Sequence, residues 1–157
     1  MRTVLVAYRV SDLARSLVFY AALGYRRLGQ VALDDGARLA VLGFPDEPVA
    51  TLELVHRPGE GPVHVGGFDH LAVQVDDLAV TRETLIDRGL HPSGIERPGG
   101  PDGLLTAWLE DPDGYRIELV EWPPGHPYGL TAADFPGGRS PIPSLGAPPS
   151  AAHRGAS

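Results

Sequence analysis

Hydrophobic and polar residues alternate along two separate stretches of the chain, residues 4–10 and 68–75, in the pattern of β-strands with one buried face. Each stretch is followed by a segment whose apolar residues recur at the three- and four-residue spacing of a helix. The spacing predicts one helix with Leu13, Leu17 and Tyr20 on its inner face, and a second with Leu78, Leu85 and Ile86 on its inner face.

The ends of both helices carry residues that favour their positions. Either Ser11 or Asp12 can cap the first helix, and either Asp76 or Asp77 the second, because short polar side chains accept hydrogen bonds from free amides at a helix start. Glycine is favoured just beyond the end of a helix, where the backbone turns left-handed. Gly24 and Gly89 occupy those two positions.

Three short strands are predicted after each helix, so that both halves of the chain read βαβββ. The Asp-Pro-Asp-Gly sequence at 111–114 has the composition of a type I turn between the last two strands. The predicted strands are Tyr25–Val31, Ala37–Gly43 and Val49–Val55 in the first half, and His91–Ile95, Leu104–Leu109 and Tyr115–Glu121 in the second.

The two halves are copies of one module at a constant offset of 65 residues. Val10-Ser11-Asp12-Leu13 aligns with Val75-Asp76-Asp77-Leu78, and the same offset places Gly24 on Gly89 and Glu53 on Glu118 without a gap. We therefore predict an α+β fold in which the open, curled mixed sheets of two tandem βαβββ modules surround a central cleft. The predicted organisation is a first module at 1–57, a linker at 58–67, a second module at 68–122 and an irregular tail rich in proline and glycine at 123–157.

Composition narrows the chemistry. Among the 157 residues there is no cysteine and no lysine, which excludes disulfides, thiolate nucleophiles, cysteine-ligated metals and Schiff-base catalysis. The net charge of −7 disfavours nucleic acid and anionic membranes as partners. The opening apolar run meets Arg9 too early for a signal peptide, so a cytoplasmic protein is expected. The expected partner is a small molecule.

Strand alternation directs three potential metal ligands to one side of the sheets. If Leu71, Val73 and Val75 face the helix, His70 points to the opposite face. The same reasoning places Glu118 there, and the repeat places Glu53. Buried carboxylates without a cation are unfavourable, so this set favours a divalent metal such as Zn²⁺, Ni²⁺, Co²⁺, Fe²⁺ or Mn²⁺. The alternatives are a half-exposed histidine and glutamates on a solvated face.

Three segments carry a resemblance to a known family. They are "RVSDLARSLVFYAALGY" at 9–25, "DHLAVQVDDL" at 69–78 and "EDPDGYRIELVE" at 110–121. Together they resemble the vicinal oxygen chelate superfamily, which includes glyoxalase I, bleomycin-resistance proteins and extradiol dioxygenases. The resemblance extends from Met1 to about Glu121. Within the superfamily the pattern is most similar to bacterial glyoxalase I.

The resemblance implies specific roles. Glu53, His70 and Glu118 match three of the four metal-ligand positions of glyoxalase I, and Glu118 matches the proton-shuttling base. Arg9 matches an arginine that holds a substrate carboxylate, although an arginine there is equally compatible with a surface ion pair. The implied activity is that of a lactoylglutathione-lyase-like enzyme, which removes a proton next to a carbonyl while a divalent metal holds the enediolate. The implied assembly is a homodimer.

The fourth ligand position is occupied by Leu5, the repeat equivalent of His70. Leucine cannot bind a metal, so two functions stay open: a glyoxalase-like enzyme with one ligand missing, and a metal-free protein that sequesters an antibiotic or a pathway intermediate. His56 and His64 are the nearest candidates to replace the missing ligand. His56 is expected to face away from the cleft, however, and His64 lies in the linker.

Overall fold

The first module forms a four-stranded sheet with one helix. A computed structural model describes residues 4–98, 100–126 and Gly129. The sheet has the order β1-β4-β3-β2, in which β1 runs parallel to β4 and the other pairs are antiparallel. Its elements are β1 (Val6–Arg9), α1 (Leu13–Leu23), β2 (Arg26–Ala32), β3 (Arg38–Gly43) and β4 (Leu52–His56).

The second module repeats this plan in a three-stranded sheet of order β5-β7-β6, again with its first and last strands parallel. The strand register confirms the offset, because Ala7 pairs with Glu53 in one sheet and Ala72 pairs with Glu118 in the other. The predicted α+β class with two βαβββ-like modules is confirmed. The elements are β5 (Leu71–Gln74), α2 (Leu78–Asp87), β6 (Leu105–Glu110) and β7 (Arg116–Glu121).

The strand predicted at His91–Ile95 is not formed. The chain at 91–96 runs beside β6, where the Ser93 amide donates to the carbonyl of Trp108 at 2.7 Å and Glu96 pairs with Thr106 in an isolated bridge. Pro92 has no amide hydrogen to give to a ladder. The Ser93 hydroxyl accepts from the amide of Trp108 at 2.9 Å, in place of a backbone carbonyl. Local side-chain chemistry thus replaces regular pairing at this edge.

Both helices begin and end where the sequence indicates. Asp12 and Asp77 are the N-caps, each accepting from the amide three residues later. Gly24 has a φ of 118° and Gly89 a φ of 82°, the left-handed region in which a side chain would be strained. One residue of the predicted inner faces is misplaced: Ile86 is 44% exposed, whereas its neighbour Leu85 is buried.

The core is one cluster of buried side chains contributed by both modules. Aromatic rings lie where the modules meet, with the ring centroids of Tyr8 and Tyr115 4.7 Å apart. The predicted turn at 111–114 forms, since the amide of Gly114 donates to the carbonyl of Asp111 at 3.0 Å. This turn of the second module also contacts the start of α1, where the Ser11 amide donates to a carboxylate oxygen of Asp113 at 3.0 Å.

Neither helix of the described chain has the length and hydrophobicity that crossing a membrane requires. Residues 58–67 contain no helix or strand, and their role as a linker between modules stays a prediction. Most of the predicted tail, Pro127, Tyr128 and residues 130–157, lies outside the described residues, so its irregular character stays a prediction.

The buried carboxylate of Asp111 links the turn to α1. It accepts from the hydroxyl of Tyr20 at 3.0 Å and from the amides of Asp113 and Tyr115 at 2.8 and 3.0 Å. Burial raises the pKa of Asp111 above its ordinary value, and these hydrogen bonds oppose that rise. The pKa of Asp111 is higher in the folded protein than in the unfolded chain. The stability that this carboxyl contributes is therefore lost as the pH rises through its folded pKa.

We predict that Tyr20→Phe lowers the free energy of unfolding by about 1–3 kcal/mol at pH 7, since it leaves a buried carboxylate oxygen unpaired. Without the tyrosine hydroxyl the pKa of Asp111 should rise further. The loss should therefore be smaller at about pH 4, where more of the carboxyl is protonated. Urea denaturation at both pH values measures this, with Val18→Ala on the exposed side of α1 as the control. A loss independent of pH would contradict the assignment.

Candidate functional site

The proposed glutamates occupy equivalent places in the two sheets. Glu53 lies on β4 beside β1, and Glu118 on β7 beside β5, each half-buried between buried neighbours that pack into the core. In β7 those neighbours are Ile117 and Leu119, both with no exposed surface. Strand alternation therefore sends Glu118 to the face opposite the helix.

The structure brings His70 and Glu118 together. His70 directly precedes β5, and its Nε2 lies 3.4 Å from Oε2 of Glu118. The histidine side chain is 32% exposed and the glutamate side chain 19%. An imidazole nitrogen and a carboxylate oxygen thus converge on a partly desolvated spot, as a divalent metal or an acid–base reaction would need.

Asp69 is a site residue that the sequence reasoning missed. Its Oδ2 lies 2.5 Å from Nδ1 of His70, on the other side of the ring from Glu118. The hydrogen bond with His70 lowers the pKa of Asp69 below its ordinary value. The adjacency of aspartate and histidine in the sequence is the one signal that could have pointed to this contact.

Trp108 forms a wall of the site. It pairs with Glu118 across the β6–β7 ladder, so both side chains project from the same face. Its ring meets the imidazole of His70 edge-on with centroids 5.2 Å apart, and the guanidinium of Arg116 lies 4.1 Å above the indole. A cation over an aromatic face is attractive, so Arg116 and Trp108 support each other beside the histidine.

Glu53 does not join this pair within one chain. Among residues 4–98, 100–126 and 129, no three histidine, cysteine, aspartate or glutamate side chains lie close enough together to hold a metal ion. His56 lies with its Nδ1 3.4 Å from the carbonyl of Val10, and His64 is exposed in the linker. The three-ligand set of Glu53, His70 and Glu118 therefore stays a prediction.

Leu5 directly precedes β1 as His70 precedes β5, and it is half-buried. The register agrees, because Val6 pairs with Leu52 and Leu71 pairs with Ile117. The equivalence of Leu5 and His70 thus extends from the sequence to the strand pairing. The first module has no donor atom at this position.

Arg9 binds the linker. Its guanidinium donates to the carbonyls of Gly61 and Pro62 at 3.1 and 2.9 Å and lies 3.2 Å from the carboxylate of Glu60. Arg9 thus forms a surface ion pair, which was one of the two roles expected for it from the sequence. A role in holding a substrate carboxylate would require the guanidinium to exchange one of these partners.

A separate cavity of about 540 Å³ lies between α1, the segment after α2 and the β6–β7 turn. It shares Trp108 and Arg116 with the candidate site but is not lined by Glu53, His70 or Glu118. Its remaining polar lining includes Arg15, His91 and Glu110.

Comparison with known proteins assigns the family. The model of the glyoxalase/bleomycin resistance protein/dioxygenase superfamily matches residues 2–119. The chain belongs to this superfamily. The candidate site lies on the paired first and last strands of the modules, where Glu53 and Glu118 occupy equivalent places.

Individual relatives bear names more specific than that of the superfamily. A protein of Synechocystis named probable lactoylglutathione lyase is 37% identical over 120 residues, covering 72% of this chain and 89% of that protein. A probable chloroplastic lactoylglutathione lyase of Arabidopsis thaliana is 34% identical over 120 residues, covering 74% of this chain. The chain spans about a third (34%) of the Arabidopsis protein.

A solved structure of glyoxalase I from Zea mays superposes with a TM-score of 0.69 at 29% identity. The match covers 76% of this chain and 44% of the maize chain. This superfamily member is therefore glyoxalase I-like in sequence and in fold.

Proposed function

We propose that this chain is a metal-dependent lyase or isomerase of glyoxalase I type. The observation that carries the proposal is the convergence of His70 Nε2 and Glu118 Oε2 at 3.4 Å. Support comes from Glu53 at the equivalent place in the first module and from the names of the lactoylglutathione lyase relatives.

The donor set suits a borderline divalent ion. One imidazole nitrogen and two carboxylate oxygens are compatible with Zn²⁺, Ni²⁺, Co²⁺, Fe²⁺ or Mn²⁺, and three protein ligands leave room for water or substrate. We propose Glu53, His70 and Glu118 as the residues that hold it. A divalent ion bound there would supply electrostatic stabilisation of negative charge that develops on a substrate oxygen.

Glu118 is the proposed base. It would take the proton from the carbon that bears the hydroxyl and sulfur of a hemithioacetal, next to the carbonyl, and return it to the carbonyl carbon. The product is the thioester of a 2-hydroxy acid, with the same atoms as the hemithioacetal. Lactoylglutathione, after which the relatives are named, is a thioester of this class. Because the Glu118 side chain is partly buried, water competes less with the substrate for its carboxylate.

The complete site needs a second copy of the chain. Within one chain Glu53 is not grouped with His70 and Glu118, so we propose a homodimer in which each site combines Glu53 of one copy with His70 and Glu118 of the other. The edge strand β2 supports association, because all seven of its residues are exposed, including Leu28 at 58% and Val31 at 50%. Exposed apolar edges of this kind are typical of protein interfaces.

We predict that Glu118→Gln lowers kcat by about 10²- to 10⁴-fold, the contribution of a positioned general base. Formation of the lactoyl thioester from methylglyoxal and glutathione, at saturating metal, measures the rate. Other low-molecular-weight thiols should be tried in the same assay. Glu110→Gln, an exposed carboxylate on β6, is the matched control and should leave the rate unchanged. Equal rates for both variants would remove Glu118 from the reaction.

One experiment can test both whether the protein binds a metal and whether each metal site is shared between two copies of the chain. His70→Ala and Glu53→Ala should each abolish tight uptake in calorimetry, because each variant damages both sites of its homodimer. Refolding the two variants as an equal mixture should restore about one quarter of the wild-type sites, since half of the dimers are mixed and each mixed dimer has one intact site.

Two outcomes would overturn parts of this proposal. If the mixture recovers no uptake while wild type binds, the sites are not shared between copies. If wild type takes up none of Zn²⁺, Ni²⁺, Co²⁺ or Mn²⁺, the enzyme proposal fails. The metal-free protein that sequesters a small molecule then takes its place.

Leu5 offers an independent test of the four-position plan. Leu5→His should tighten metal binding by one to two orders of magnitude, about 1.4–2.8 kcal/mol. The variant gives the first module a ligand nitrogen at the position where the second module has His70. The stability cost should be below the roughly 2–5 kcal/mol of a truncated core leucine. Val4→His, at an adjacent position that is 76% exposed, is the control. Unchanged affinity together with a core-sized stability loss would show that Leu5 is a packing residue.

A further inference from the structure

The imidazole of His70 lies between two carboxylates that are unequally distant. Nδ1 is 2.5 Å from Oδ2 of Asp69, whereas Nε2 is 3.4 Å from Oε2 of Glu118. A neutral imidazole carries one hydrogen, on one of its two nitrogens. A carboxylate only accepts, so the shorter contact places that hydrogen on Nδ1.

We propose that Asp69 is a positioning residue that fixes the neutral His70 ring as its Nδ1–H tautomer and turns the Nε2 lone pair towards Glu118. The consequence for metal binding rests on the proposed function, whereas the tautomer does not require a metal. Trp108 limits the ring from the side, with its indole edge-on to the imidazole. With the ring plane held in this way, Asp69 decides which nitrogen faces Glu118.

The competing interpretation is an exposed ion pair between neighbouring residues. The Asp69 side chain is 81% exposed, and surface pairs of this kind contribute about 0–1 kcal/mol. The two interpretations differ in what they predict. A surface pair leaves tautomer and ligand basicity nearly unchanged, whereas removing the partner of a metal-binding histidine typically costs about 10- to 100-fold in metal affinity.

The first experiment reads the tautomer directly in the metal-free full-length protein. Long-range ¹H–¹⁵N spectra of the His70 ring are recorded at about pH 8.5, well above the ordinary histidine pKa. We expect the hydrogen on Nδ1 in wild type, a shift of population to the Nε2–H form in Asp69→Ala, and recovery in Asp69→Glu. Asp76→Ala, an exposed aspartate just beyond the other end of β5, should resemble wild type.

A wild-type ring with its hydrogen on Nε2 would overturn the proposal. So would an Asp69→Ala spectrum identical to that of wild type. Melting temperatures within a few degrees of wild type should accompany the variants, because Asp69 has no part in the core.

The second experiment separates this inference from the metal site. Calorimetry with Zn²⁺ and Ni²⁺ should show affinity about 10- to 100-fold weaker for Asp69→Ala than for Asp76→Ala. If wild type and both variants bind equally well, the proposed function stands and the positioning role is wrong. If wild type binds no metal, the proposed function fails, and the ring spectra alone decide whether Asp69 sets the tautomer.

Discussion

The parallel pairing of the first and last strands in each module is the constraint on which the site depends. β1 lies beside β4 and β5 beside β7. Parallel neighbours must be joined by a long crossover, and in each module α1 or α2 and the intervening strands provide it. The pairing brings residues that are about fifty positions apart into one register. His70 and Glu118 meet only because β5 and β7 are adjacent.

Much of this could be predicted from the sequence. Because the modules repeat without a gap, the offset that aligns Gly24 with Gly89 predicts the same register in both sheets, and Ala7 opposite Glu53 with Ala72 opposite Glu118 agrees with it. Alternation then decides which side chains leave the core. The helix starts were predicted to within one residue, as Ser11 or Asp12 and as Asp76 or Asp77, and the ends from Gly24 and Gly89, because such preferences are local and need no tertiary information.

The remainder depended on contacts that periodicity does not describe. Ile86 lies eight positions after Leu78, which at about 100° per residue places it at the border of the inner face, and it is exposed while Leu85 is buried. The segment at 91–95 has strand-like residues, yet Pro92 and the Ser93 hydroxyl change its hydrogen bonding. Arg9 contacts carbonyls of a linker without regular structure, and Asp69 contacts His70 through one side-chain hydrogen bond. Such contacts are set by loop paths and rotamers.

The two modules make unequal contributions to the proposed site. The second offers His70 and Glu118, with Asp69 behind the histidine, whereas the first offers Glu53 and, at the position of His70, the side chain of Leu5. If the site is shared between copies, most of the metal affinity resides in one chain and the last protein ligand comes from the other. A metal that binds only the assembled site stabilises that assembly by mass action. Under this proposal, Leu5 in place of a donor weakens that linkage without removing it, and the proposed dimer would rest mainly on apolar contact such as that offered by β2.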